Sequence, residues 1–188
     1  LAVSRETNLD RLLTICAQVP DSTANRWSLP PLAQSVAIAR DQAFSFLYPH
    51  LIESWRAQGA TLSFFSPLNN EAPDPTAEAV FLPGGYPELH AGKLSENINF
   101  LNGLRAHRGL VYGECGGYMV LGEGLIDAGG SRHAMAGLLP LTTSFATRKL
   151  HLGYRQLRGG PWAKPLRGHE FHYSTIAHEG PAPRLFEA

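Results

Sequence analysis

Cys115 has a glycine two positions before it and two directly after it, within Leu110-Val111-Tyr112-Gly113-Glu114-Cys115-Gly116-Gly117-Tyr118. That spacing suits a nucleophile elbow, in which an apolar strand ends and a helix begins across a turn so tight that only glycine fits around the reactive residue. The turn lifts the sulfur above the sheet edge and aims the helix N-terminus at it, which is expected to lower the thiol pKa. A buried cysteine at a strand end is the competing reading. A cysteine nucleophile also needs an oxyanion site and a base. Pro83-Gly84-Gly85-Tyr86-Pro87-Glu88 follows another apolar run; Gly84 and Gly85 leave backbone N–H groups free for an oxyanion, although the same residues also suit an ordinary Gly/Pro turn. Gly168-His169-Glu170-Phe171-His172-Tyr173-Ser174 offers two histidines. Read as a strand, it puts Glu170, His172 and Ser174 on one face and His169, Phe171 and Tyr173 on the other. The first set is polar and suits a site, so His172 is the candidate base. The second is largely aromatic and suits packing, so His169 is read as structural. No cysteine pair or helical His-Glu spacing accompanies the histidines, and no metal site is expected.

These residues must be held by alternating strands and helices. Strands are expected at Ser35–Ala39, Leu62–Phe65, Ala79–Leu82 and Leu110–Tyr112. A helix is expected from Phe44 to Gln58, with Pro49 tolerated near its start and Gly59 closing it. Another runs from a cap at Ser95 to about His107, and a third follows the elbow through Tyr118, Met119, Leu121 and Leu125. The alternation argues for an α/β fold: a mainly parallel sheet with helices on both faces. After about residue 134 the pattern becomes apolar and alternating, at 134–147, 150–157 and 168–176, which suggests a C-terminal antiparallel extension. An amphipathic stretch at 8–16, with Asn8 as N-cap and Cys16 on the apolar face, reads as one helix ahead of a polar link.

Composition narrows the function classes. The 188 residues are 44% hydrophobic, and 16 basic side chains balance 16 acidic ones, so no basic field argues for nucleic acid or an anionic membrane. Cys16 and Cys115 are too few and too far apart for a disulfide framework, which fits a reducing cytoplasm. No apolar run approaches a membrane span. No Gly-x-x-x-x-Gly-Lys-Ser/Thr phosphate loop occurs.

The order Pro83–Glu88, Gly113–Gly117, Gly168–Ser174, with Met135–Pro140, Thr143-Ser144-Phe145 and Leu152-Gly153-Tyr154, resembles the class I glutamine amidotransferase domain, a flavodoxin-like fold. More narrowly, it is similar to the C-terminal domain of the cobyrinic and hydrogenobyrinic acid a,c-diamide synthase family. The resemblance covers roughly residues 34–178. It implies residues 1–20 as the tail of an N-terminal synthetase domain that is missing here, 21–33 as a linker and 34–188 as the amidotransferase domain. It further implies that Cys115 attacks glutamine to form a thioester, that His172 handles the protons, and that N–H groups of Gly116 and of the Gly84-Gly85 turn hold the oxyanion. Class I domains usually carry His-x-Glu. Here Ser174 stands where that glutamate would be, and Ser174 or Glu170 is left to orient the ring. No cofactor is implied for this chain; ATP and Mg2+ belong to the synthetase domain, which activates a corrinoid carboxylate for amidation in cobalamin biosynthesis. Glutamine and the corrinoid are the implied partners, and a homodimer is left open. A free-standing cysteine hydrolase and a non-catalytic docking module are the alternatives.

Overall fold

The computed structural model describes residues 8, 10, 11, 14 and 28–188. Residues 10, 11 and 14 are helical, and Asn8 Oδ1 accepts a hydrogen bond from the Arg11 N–H at 2.9 Å, an N-cap contact. Cys16 and the apolar face assigned to it lie outside the described residues.

From Ser35 the chain builds a parallel sheet of β1 (Ser35–Ala39), β2 (Thr61–Phe65), β3 (Ala79–Leu82) and β4 (Leu110–Gly113), in the spatial order β2-β1-β3-β4. This is the flavodoxin-like order, in which ligands bind beyond the carboxyl ends of the strands. β3 is buried along its whole length, as a strand covered on both faces must be. Val36, Ile38 and Phe81 pack with Ile52 and Trp55 of α1 (Pro49–Ala57). Ala37, Ala39, Val80 and Leu82 pack on the opposite side with Leu94 of α2 (Ala91–Glu96) and with Phe100, Leu101 and Leu104 of α3 (Ile98–Ala106). Each fully buried Leu or Phe contributes roughly 1.5–3 kcal/mol, so the sheet that carries the candidate nucleophile is anchored by buried clusters on both faces.

Three helices differ from the sequence expectation. The segment 44–58 is not continuous: a 3-10 turn at Gln42–Phe44, capped by Asp41 Oδ1, comes first, and α1 starts only at Pro49. Between them Phe46 bridges to Gly84, and Pro at the first helical position sets the new start. The helix expected from Ser95 begins earlier and breaks at Asn97, whose side chain donates to the Pro67 carbonyl at 2.7 Å. The Ser95 hydroxyl bonds back to Gly92 O rather than capping. Past the elbow, α4 (Gly116–Leu121) lasts six residues, and Leu125 belongs to a strand.

A second sheet joins β5 (Gly122–Ile126), β6 (Arg132–Ala134), β7 (Leu139–Ser144) and β10 (Thr175–Glu179) in the order β10-β7-β5-β6. Its pairs are antiparallel except β5–β7, which runs parallel. A third sheet is the antiparallel hairpin β8 (His151–Gly159) and β9 (Leu166–His172), edged by β11 (Phe186–Glu187). Trp162, just ahead of β9, donates from its indole to Pro30 O at 2.9 Å and stacks edge-on against Tyr112 of β4. No helix among the described residues is long and apolar enough to cross a membrane.

Candidate active site

The nucleophile turn is set by backbone contacts. Glu114 N–H donates to Leu82 O at 3.0 Å, tying the end of β4 to the end of β3. Gly117 N–H returns to Glu114 O at 2.8 Å, and Met119 N–H to Cys115 O at 3.1 Å. Between them Cys115 adopts φ 48°, ψ −111°, a left-handed φ that an L-residue holds at a cost of about 1–3 kcal/mol. Two of the neighbouring glycines are required by close approach. A side chain on Gly117 would collide with the Leu82 carbonyl, and one on Gly85 with the Ala43 carbonyl.

The N–H groups of Gly116 and Gly85 both point at Cys115 Sγ and favour its thiolate. The Gly84 carbonyl accepts from Phe46 N–H at 3.0 Å, and its missing side chain leaves room for Cys115 Cβ. The thiol is not lowered overall. Burial pushes it above its usual range, and the charges of Glu88 and Glu114 push the same way, against the two N–H groups. The sulfur is open to solvent, yet the turn packed beneath it withholds enough water to outweigh a six-residue helix.

Two acids and a tyrosine that the sequence reading left without a role belong to this site. Burial raises Glu88, with Arg148 and His90 partly offsetting it. Burial also raises Glu114, against a hydrogen bond from Tyr112 and the charge of His169. Tyr112 itself is raised by burial and by Glu114. Adjacency to Cys115 marks Glu114 in the sequence, but nothing local reveals that Glu88 turns back toward the sulfur.

His172 ends β9, where Leu166, Gly168, Glu170 and His172 are half-buried while Arg167, His169 and Phe171 are exposed, so the alternation inferred from sequence is the one observed. The outward aromatics do not pack as expected: Phe171 and Tyr173 are 54% and 44% exposed and touch each other edge-on. The Nε2 of His172 donates to Glu170 Oε1 at 3.0 Å, and its Nδ1 lies 3.2 Å from both the Ser174 carbonyl and the Ser174 hydroxyl. Ser174 is buried, and Arg155 pairs with the other oxygen of Glu170. The ring of His151 stacks on that of His172 at 4.6 Å and 13°. Two groups therefore form. Cys115, Gly84, Gly85 and Gly116 come together at the sheet edge, and His172, Glu170 and Ser174 on the hairpin; no hydrogen bond joins His172 to Cys115 among the described residues.

A cysteine on a strained turn at the carboxyl edge of a flavodoxin-ordered sheet, with two N–H groups aimed at it, marks the candidate site of an α/β fold shared with glutamine amidotransferases. A crystal structure of a glutamine amidotransferase superimposes with a TM-score of 0.52 at 16% identity, covering 77% of this chain and 75% of the other. Residues 35–188 match the CobB/CobQ-like glutamine amidotransferase domain, and the chain belongs to that family. Among its relatives, hydrogenobyrinate a,c-diamide synthases of Brucella anthropi and Rhodobacter capsulatus are 57% and 52% identical, over 95% and 96% of this chain. The chain spans 43% of the length of each.

Proposed function

We propose that this chain hydrolyses glutamine at Cys115 and supplies ammonia for amidation of the a and c carboxylates of hydrogenobyrinate, the acceptor named for its relatives. The convergence of the Gly85 and Gly116 N–H groups on Cys115 Sγ carries this reading. Sγ adds to the side-chain carbonyl carbon of glutamine, and its oxygen becomes the oxyanion under those two donors, each contributing on the order of 3–4 kcal/mol. The C–N bond then breaks, a proton goes to the departing nitrogen, and ammonia leaves a thioester. Water adds, the C–S bond breaks, and glutamate departs.

His172 is the residue of this set suited to move those protons. A thiol held above its usual range by burial needs such a base, because it does not ionise unaided. In the arrangement described, Nε2 carries a proton to Glu170, so to act as the base His172 must shift to the tautomer protonated on Nδ1, donating there to the Ser174 carbonyl, and turn the freed Nε2 to the sulfur. Ser174 stays on Nδ1 and keeps the ring oriented. On this proposal, ATP and Mg2+ would activate the acceptor carboxylate in a synthetase domain separate from the residues described. A reducing cytoplasm suits the free thiol.

Ammonia release from glutamine, measured without ATP, tests the reading. The parent is expected to turn over and Cys115→Ser to lose all detectable release while keeping its circular dichroism. Release at the parent rate from Cys115→Ser would remove the nucleophile from the mechanism.

A further inference from the structure

The pairing of β8 with β9 sets His151 directly opposite His172 and Gly153 opposite Glu170. Three side chains that are remote or unpromising in sequence thereby share one face of a two-stranded ribbon. One ligand atom from each of His151, Glu170 and His172 lies within 4.8 Å of the others, and all three residues are half-buried. Two imidazole nitrogens and a carboxylate oxygen are the donor set of borderline-soft divalent cations such as zinc. Arg155 opposes a cation here, but it engages Oε2 of Glu170 and leaves Oε1 on the histidine side. Gly153, opposite Glu170, puts no side chain on this face, and the nearest atoms to where one would stand belong to the end of Arg155. Coordination at roughly 2.0–2.2 Å requires the two stacked rings to rotate until their in-plane nitrogens converge with the carboxylate on one point.

We propose that His151, Glu170 and His172 form a zinc-class cation site that clamps β8 to β9 and, when filled, takes His172 out of the reaction. The clamp stands on geometry alone. The inhibition rests on the reading of His172 as the base, because a ring nitrogen bound to metal cannot accept a proton from Cys115. The fourth position is open to water, so the ion would bind reversibly and be removed by a chelator.

Calorimetric titration of zinc chloride into the Cys16→Ser, Cys115→Ser chain isolates binding, since no thiol competes. One ion per chain is expected, with affinity falling at least about tenfold when His151→Phe is added, by analogy with the loss seen on disturbing metal-site partners. Phenylalanine keeps the ring stack on His172 and removes the nitrogens, so a loss is not a folding effect; His151→Gln provides the second variant. No binding, or binding unchanged by either variant, overturns the site. Glutamine hydrolysis by the Cys115 parent, each variant scaled to its own zinc-free rate, tests the consequence. Inhibition that EDTA reverses and His151→Phe relieves supports it, whereas inhibition untouched by His151→Phe places zinc on the thiol and overturns the inhibitory role. Binding at the site without inhibition upholds the clamp and removes His172 as the base.

Discussion

The turn at Cys115 and the β8–β9 hairpin supply the two halves of the proposed chemistry, and they are built in opposite ways. Around Cys115, backbone approaches backbone: Leu82, Glu114 and Gly117 are tied within one turn, and Leu82, Met119 and Val120 are buried. On the hairpin, Leu152, Tyr154 and Phe171 are 69%, 90% and 54% exposed, and the candidate base is held by cross-strand pairing and side-chain hydrogen bonds. The difference teaches where each half takes its precision. A strained nucleophile persists only where surrounding structure over-determines it. A proton carrier that must exchange partners can instead sit where rotation costs little.

The largest effect expected from this contrast separates two glycines. Gly117→Ala drives a methyl group into the Leu82 carbonyl, a backbone atom that cannot swing away, and should cost about 3 kcal/mol or more with loss of turnover. Gly153→Ala on the hairpin meets only the guanidinium end of Arg155 and should stay within about 0.5 kcal/mol of the parent. Urea unfolding of both checks this; equal costs would erase the distinction between the regions.

Next in size is the histidine pair. His172→Asn should lower glutamine turnover by at least about a hundredfold, the usual loss of a positioned acid–base. His169→Asn, exposed and beside Glu114, should leave turnover much closer to the parent. The reverse ranking, with both variants folded, would transfer the base to the opposite face of β9.

The smallest effect concerns pH. Glu114 is raised above 4.5 by burial, so the folded state holds its proton more tightly than the unfolded chain. That contribution to stability is complete below about pH 4.5 and is lost as pH rises through the folded value. Glu114→Gln removes the titration and keeps a group able to bond Tyr112. The stability of the parent relative to this variant should therefore fall as pH rises from about 4.5 towards neutrality, by denaturant melts. A difference that grows over that range would reverse the sign and place a stabilising charge at Glu114.

The alternation of strands and helices, the glycine-flanked turn at Cys115 and the face of β9 on which His172 lies were all legible before the fold was known. Each is written in local pattern: short apolar runs separated by helical spacing, glycines where the backbone must pass close to itself, and a period of two along a strand. The helix breaks at Pro49 and Asn97 were not legible, because Phe46 bridging Gly84 and Asn97 donating to Pro67 O are contacts between distant segments. The upward push on Cys115 was missed for the same reason: burial, its main cause, and the charge of Glu88, 27 positions away, both arise only through the fold. The tertiary structure alone set His151 against His172, since strand register makes that pairing. A strand pattern states which side a residue takes; it does not state which strand will lie against it.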